Sequence, residues 1–332
     1  MDAPKPIFVT MGEPGGVGAE ITLRAWMELR HTQNCCFILH HDPDYLRLTA
    51  QTANLDIPLQ IVQGIGEAPA VFKGALPVLP IQLNQKPIIG QTDTANVPAI
   101  SSSIKMGVEL CRAGKAAAMV TNPINKAVMI KGGFQFPGHT EYLSHLCGGV
   151  KPVMMLANDQ LRVVPLTVHT PIRDVAMKIN RDLILQIAKI VRDGLQGKFG
   201  IKNPILAFAG LNPHAGEDGE IGREEIDIFA PALAELRNMG MQVMGPLSAD
   251  TMFFAEARRE YDVAICAYHD QALIPVKTVD FWRSVNVTLG LDIIRTSPDH
   301  GTALDIAGRG IARGDSMIAA IQMAAKMAGS HG

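Results

Sequence analysis

Three histidines in this chain share one local setting. His169 closes Leu161-Arg162-Val163-Val164-Pro165-Leu166-Thr167-Val168. His214 follows Ile205-Leu206-Ala207-Phe208-Ala209 by way of Gly210-Leu211-Asn212-Pro213, and His269 follows Val263-Ala264-Ile265-Cys266-Ala267-Tyr268. Each apolar run reads as a buried strand, so each imidazole is expected at a strand's carboxyl end, the edge where open α/β sheets bind ligands. Three neutral imidazoles with open coordination positions suit Zn²⁺, Co²⁺ or a similar divalent ion used as a Lewis acid. The same histidines could instead be hydrogen-bonding surface residues, because no compact H-x-E-x-x-H spacing forces them together.

Other polar residues cluster around these strand ends. In Tyr268-His269-Asp270-Gln271-Ala272-Leu273-Ile274-Pro275-Val276-Lys277, Asp270 can orient a histidine or act as a base, and Lys277 can supply positive charge. Taken alone, this stretch could also be a solvated turn. Asp250 is a further carboxylate that could support a ligand. Lys277 and Arg295 would suit an anionic substrate, carboxylate or phosphate. Gly138-His139-Thr140-Glu141-Tyr142 opens a helix whose amino end favours an anion, with helix capping by Thr140 as the plainer role. Asp299-His300-Gly301-Thr302 is expected to cap helices over Ala303–Ala307 and Ser316–Ala328. His31, His40, His41, His145 and His331 are read as surface or packing residues.

The elements that must position these residues alternate strand and helix. Pro6-Ile7-Phe8-Val9-Thr10-Met11 reads as a strand, Gly12-Glu13-Pro14-Gly15-Gly16-Val17-Gly18 as a loop, and Ile21–Met27 as a helix, the βα start of a doubly wound domain. The loop matches neither G-x-G-x-x-G nor a P-loop, and Glu13 would repel a phosphate. Its many glycines are expected to allow close backbone approach to a ligand, against the plainer reading of a tight turn. Further strands are expected at Cys36–His40, Ala75–Ile81 and Ala116–Val120, with a helix from Ile100 to Ala113 ended by Gly114. Thr121-Asn122-Pro123-Ile124-Asn125-Lys126 puts polar groups at another strand end. The glycines Gly132-Gly133 and the run Phe136-Pro137-Gly138 are the expected crossing between domains.

Composition bounds the function class. The chain has 332 residues and a formal net charge of −2, which argues against a broad basic surface for nucleic acid. Its five cysteines form no CxxC pair, so reduced thiols of a cytosolic protein are expected. Ile7-Phe8-Val9 is too short for the core of a signal peptide. No apolar run approaches the ~20 residues of a membrane span.

Taken together, Gly138-His139-Thr140-Glu141, Leu211-Asn212-Pro213-His214-Ala215-Gly216-Glu217, Tyr268-His269-Asp270-Gln271, Ile294-Arg295-Thr296-Ser297 and Asp299-His300-Gly301-Thr302 stand in the order found in one family. The chain resembles the 4-hydroxythreonine-4-phosphate dehydrogenases of pyridoxal 5′-phosphate biosynthesis essentially end to end. The resemblance implies a two-domain α/β fold like that of the isocitrate and isopropylmalate dehydrogenases, not a Rossmann fold. The domains are expected over residues 1–135 with 285–332, and over 136–284. It further implies a cytoplasmic homodimer with the site at the subunit interface, NAD or NADP as cofactor, and one divalent ion, Zn²⁺, Co²⁺ or Mg²⁺.

By motif, the resemblance makes His169, His214 and His269 the metal ligands. It makes His139, Thr140, Lys277, Asn286 and Arg295 the substrate contacts; Asp270 and Lys277 are the candidate catalytic pair. The implied reaction oxidises the C3 hydroxyl of 4-phosphooxy-L-threonine and decarboxylates the resulting keto acid to 3-amino-2-oxopropyl phosphate. A related branch oxidising 4-phospho-D-threonate or 4-phospho-D-erythronate shares the motifs. A metal-dependent hydrolase and a non-catalytic two-domain binding protein are the readings from other classes. The sequence departs from the family's usual pattern at Glu13, Gly15, Ala19, Ala272 and Ser284, none of which is a proposed site residue.

Overall fold

A computed structural model describes residues 5–330; the residues before Lys5, which belong to the amino-terminal reading, and His331 lie outside the described residues. The chain is α/β and divides into two compact units. The first runs up to Pro152 and resumes over Leu291–Ser330, and the second is Val153–Gly290. The passages therefore fall at 152/153 and 290/291. Gly132, at the expected crossing, instead ends a short helix of the first unit.

The first unit begins with β1 (Ile7–Val9), α1 (Gly18–Leu29), β2 (Phe37–His41), α2 (Pro43–Thr52), β3 (Leu59–Ile61), α3 (Ala68–Val71) and β4 (Leu76–Pro80). It continues through α4 (Val97–Arg112), β5 (Ala118–Val120), α5 (Lys126–Lys131) and α6 (His139–Leu146). The second unit contains β6 (Val153–Ala157), β7 (Arg162–Thr167), α7 (Ile172–Lys178), α8 (Arg181–Phe199), β8 (Ile205–Ala209) and α9 (Ala230–Asn238). Then come β9 (Gln242–Leu247), β10 (Val263–Tyr268), α10 (His269–Val279) and β11 (Val285–Leu289), before the first unit resumes with β12 (Arg295–Pro298) and α11 (Asp315–Gly329).

In the first unit the strand order is β3-β4-β2-β1-β5-β12, with neighbouring strands paired in parallel. β1 is buried throughout, as a central parallel strand must be. α4 lies against it through Gly107, where an added Cβ would sit 2.9 Å from the Phe8 ring and 2.8 Å from Met119. In the second unit the order is β11-β6-β7-β10-β8-β9. β11 and β7 flank β6 antiparallel, while β7, β10, β8 and β9 run parallel. α8 is started by Asn180, whose side chain accepts from the Leu183 N–H at 2.9 Å, and is stopped by Gly200 at φ +69°.

Three expected elements differ. Asp270–Lys277 is not a turn but the body of α10, which starts at His269 itself and contains Pro275. Ala303–Ala307 is a series of turns, not a helix, with Ala303 at φ +42°. Gly314, with no side-chain cap, precedes α11, so Asp299–Thr302 caps neither expected helix; the Asp299 N–H instead donates to Ser316 Oγ. No helix among the described residues is long and apolar enough to cross a membrane.

The glycine loop after β1 is closely approached by the protein's own backbone. A Cβ on Gly15 would stand 1.7 Å from the Gln91 carbonyl oxygen, and one on Gly16 2.8 Å from that of Thr302. The approaches are hydrogen-bonded: the Gly90 N–H donates to Gly15 O at 2.8 Å, and the Val17 N–H to Thr302 O at 3.0 Å. At these two positions it is segments far apart in sequence that close on the loop.

Glu13 is carried into this packing at 2 % exposure. Burial pushes its carboxyl up to about 7, with the Asp93 charge adding and a bond from the Gly15 backbone opposing. Between pH 4.5 and 7 the folded chain keeps a proton that the unfolded chain releases, so this group subtracts stability as pH rises through that window. Glu13→Gln should therefore gain on wild type by about 2–3 kcal/mol between pH 5 and pH 8 in denaturant titrations; parallel pH dependences would refute the assignment. Gly15→Ala should lower the denaturation midpoint by the equivalent of roughly 1–3 kcal/mol. Gly66→Ala, whose Cβ would meet nothing within 4 Å, should leave that midpoint nearly unchanged.

Candidate functional site

In the second unit the strand order brings the three histidine-bearing ends together at one edge. β10 is the middle strand, with Ala264 and Tyr268 opposite Val163 and Thr167 of β7 and Ile265 opposite Phe208 of β8. Because all three run parallel, the segments carrying His169, His214 and His269 leave from the same carboxyl edge. The His169 and His269 rings lie 6.2 Å apart between centroids, with their planes tilted by 35°. That is the outer limit for two imidazoles sharing an ion at roughly 2.0–2.1 Å per nitrogen.

His269 is oriented by its neighbour, Nδ1 lying 2.7 Å from Asp270 Oδ1. With the carboxylate as acceptor, Nδ1 carries the proton and Nε2 is left as the donor atom for an ion. Gln271 ties the start of α10 to the next strand. Its Oε1 accepts from the Ala267 N–H at 2.7 Å, and its Nε2 donates to Gly210 O at 2.8 Å. Gln271 stands inside the quoted motif, yet sequence reasoning assigned it no role. Ala272 is helical and buried within α10, so glycine's freedom is not needed there.

His214 sits in an unusual loop. His214, Ala215, Glu217 and Asp218 have φ of 51°, 53°, 45° and 55°, with Gly216 between them at 85°. Left-handed backbone costs an L-residue roughly 1–2 kcal/mol, and such strain is found where surrounding structure enforces it. The Ser248 hydroxyl, which donates to Asp250 Oδ1 at 2.5 Å, holds that carboxyl below its ordinary range, and nearby His214 is a lesser cause.

The donor chemistry of these histidines fits a divalent ion. Their placement supplies a neighbouring pair, and among the described residues no group of three His, Cys, Asp or Glu side chains stands ready to hold one. Lys277 is half-buried in the last turn of α10 rather than among strands, its Nζ 5.6 Å above the Phe281 ring. Asn286 lies on β11 opposite Leu156.

The first unit holds a different kind of group. Arg295, on β12, is 4 % exposed, and its Nη2 donates to Thr121 Oγ1 at 2.6 Å. Burial pushes its guanidinium down to about 10. His139 opens α6, and its Nε2 is buried without a hydrogen-bond partner. Burial, and then the charges of Arg295 and Lys126, keep its imidazole well below its ordinary range, so it is neutral at pH 7. Gly138, without a side-chain cap, precedes α6, so the capping role expected of Thr140 is not the one it plays.

Lys126 was not singled out from the sequence, although it ends the Thr121–Lys126 run read as a cleft edge. Its Cε would lie 3.2 Å from a Cβ placed on Gly138. Arg295, Lys126 and a neutral His139 beside a helix amino end make a setting that favours an anion. His40 and His41, by contrast, are core residues of β2, both pushed down to about 4 chiefly by burial.

Comparison with known proteins identifies the family. The model of the family described as pyridoxal phosphate biosynthetic protein PdxA matches residues 33–324. The 4-hydroxythreonine-4-phosphate dehydrogenase of Methylorubrum extorquens is 48% identical over 332 residues, covering 98% of this chain and 95% of that protein. Its counterpart from Caulobacter vibrioides is 47% identical over 99% of each chain. A crystal structure of the Klebsiella pneumoniae enzyme of that name superposes with a TM-score of 0.87 at 34% identity, covering 98% of both chains. With a family model spanning most of its length and relatives matched end to end, the chain belongs to the PdxA family.

Proposed function

We propose that this protein is a 4-hydroxythreonine-4-phosphate dehydrogenase. In this reading it oxidises C3 of 4-phosphooxy-L-threonine with NAD or NADP and releases CO₂ to give 3-amino-2-oxopropyl phosphate. The observation that carries the reading is the shared carboxyl edge of β7, β10 and β8, with the His169 and His269 rings side by side. His169, His214 and His269 would hold one divalent ion, Zn²⁺, Co²⁺ or Mg²⁺, which when bound supplies Lewis acidity toward the substrate oxygen. Asp270 fixes the His269 tautomer. Arg295, His139 and Thr140, with Lys126 added from the structure, are the proposed substrate contacts of the first unit, and Lys277 and Asn286 those of the second.

The order of the chemistry follows from electronics. A bound nicotinamide would supply the hydride acceptor that no side chain provides, and the C3 hydroxyl proton would pass to Asp270, the base of the candidate pair. Only then does the carboxylate lie beta to a ketone that can take the electrons of the breaking C–C bond. The ammonium of Lys277 is suited to balance the enolate charge that develops.

The fold reading is the two-domain isocitrate/isopropylmalate dehydrogenase type rather than Rossmann. The first loop supports it, because Gly15 and Gly16 close against their own chain instead of forming a G-x-G-x-x-G cradle. The assembly reading is a homodimer with the site at the interface. Ile274, Phe281 and Trp282, exposed by 63%, 61% and 49%, support it as an apolar surface around Lys277.

With 4-phosphooxy-threonine and NAD, absorbance at 340 nm should rise in step with CO₂, and both should stop after chelation. CO₂ without reduced nicotinamide would sink the dehydrogenase reading, and turnover without any nicotinamide would favour a hydrolase. Much faster oxidation of 4-phospho-D-threonate would move the chain to the sister activity. In the same assay, Arg295→Ala and Lys277→Ala should each lower kcat/KM by the equivalent of roughly 2–4 kcal/mol. Unchanged kinetics with a lowered Tm would make them structural residues instead.

A further inference from the structure

The left-handed loop that carries His214 is held by a buried carboxylate for which the chemistry above has no use. Glu225 is 3 % exposed. Its Oε1 accepts from the Asn212 backbone N–H at 2.8 Å, and its Oε2 accepts from Asn212 Nδ2 at 2.9 Å. Glu224 Oε2 accepts from the same Nδ2 at 2.7 Å. The glycines around the carboxylate leave no room for a side chain. A Cβ on Gly210 would lie 3.0 Å from Oε1, one on Gly216 2.7 Å from Oε2, and one on Gly222 2.3 Å from Asn212 Nδ2.

Glu225 thus fills the concave side of the loop, bonded to its entry at Asn212 and packed on its middle at Gly216. It opens a single π-helical turn, Glu225–Phe229, leading into α9; such turns recur at functional sites. Four non-glycine residues in a row of five left-handed ones would not hold that shape unaided.

We propose that Glu225 and Asn212 are positioning residues for His214. The clamp holds the loop in the one backbone conformation from which the imidazole is presented to the divalent ion. The inference rests on the reading of His214 as a ligand. Neither residue touches the ion; the pair acts by making the strained conformer the populated one, so that ion binding does not have to select it.

The test is Co²⁺ titration of the metal-stripped full-length protein, followed by calorimetry and visible absorption. Wild type should bind, and His214→Ala should bind at least a hundredfold more weakly. Asn212→Ala and Glu225→Gln should weaken binding ten- to a hundredfold, as loss of support behind a ligand does. Asp227→Asn, on the same turn but exposed and paired with Arg223, should bind like wild type. Ala215→Gly with Asp218→Gly should restore much of the affinity lost in Glu225→Gln, because glycine holds the left-handed backbone without help. A merely structural Glu225 would show no such rescue.

Should Glu225→Gln not fold, the half-buried Asn212→Ala with the same glycine changes makes the same comparison. Folded clamp variants binding Co²⁺ within threefold of wild type, or glycines that rescue nothing, overturn this inference alone. Wild type that binds no Co²⁺, or His214→Ala that binds as wild type does, overturns the metal reading at His214 and this inference with it.

Discussion

Strand β10 is hydrogen-bonded in parallel on both sides, and the candidate site of the second unit depends on that arrangement. A strand flanked this way is buried on both faces, which is why Val263–Ala267 is apolar without alternation. Parallel pairing sends neighbouring strands out at the same edge, so the chain after β7, β10 and β8 must turn there. A polar residue at any of those turns can face the same space. Gln271 makes the edge rigid, since one side chain bonds both the end of β10, at Ala267, and the end of β8, at Gly210.

That architecture was partly legible in the residues. The buried strands were readable because apolar runs of five or six residues bounded by Gly, Pro and Asn have few alternatives. Their shared edge was suggested by the repeated strand-to-histidine pattern. What could not be read was adjacency: β7, β10 and β8 lie side by side although long stretches of chain separate them. The helical start of α10 was also hidden. Pro275 argues against a helix interior and His269 is a weak helix former, but Ala272, Leu273 and Val276 bury one face well enough to override both. The weak edge strand β3 gave no periodic signal, and Ala303–Ala307, expected as a helix, is broken into turns with Ala303 at φ +42°.

The glycine loop shows why composition alone misassigns a glycine. Gly15 and Gly16 are as crowded as a cofactor-binding turn would be, yet the crowding comes from the carbonyl oxygens of Gln91 and Thr302. A sequence reports that a Cβ is forbidden, and only the fold reports what forbids it. The His214 loop is the opposite case. There the residues at positive φ are mostly not glycine, so nothing in the sequence advertised the strain, and the Asn212–Glu225 bonds that enforce it join segments separated by a turn.

The ten histidines make the same point through electrostatics. His40 and His41 lose their charge chiefly to desolvation inside β2, and packing is all that this environment supports. His139 is kept neutral by burial together with the cations Arg295 and Lys126, an environment that repels a metal ion and attracts an anion. His269 has a carboxylate on Nδ1 and a second imidazole beside it, which is the reverse: a setting that repels anions and presents a lone pair to a cation. The anion setting is built by β12, α5 and α6 of the first unit, and the cation setting lies at the carboxyl edge of β7, β10 and β8 in the second. Histidine's usefulness in each place is set by which charge its neighbours carry, not by the residue itself.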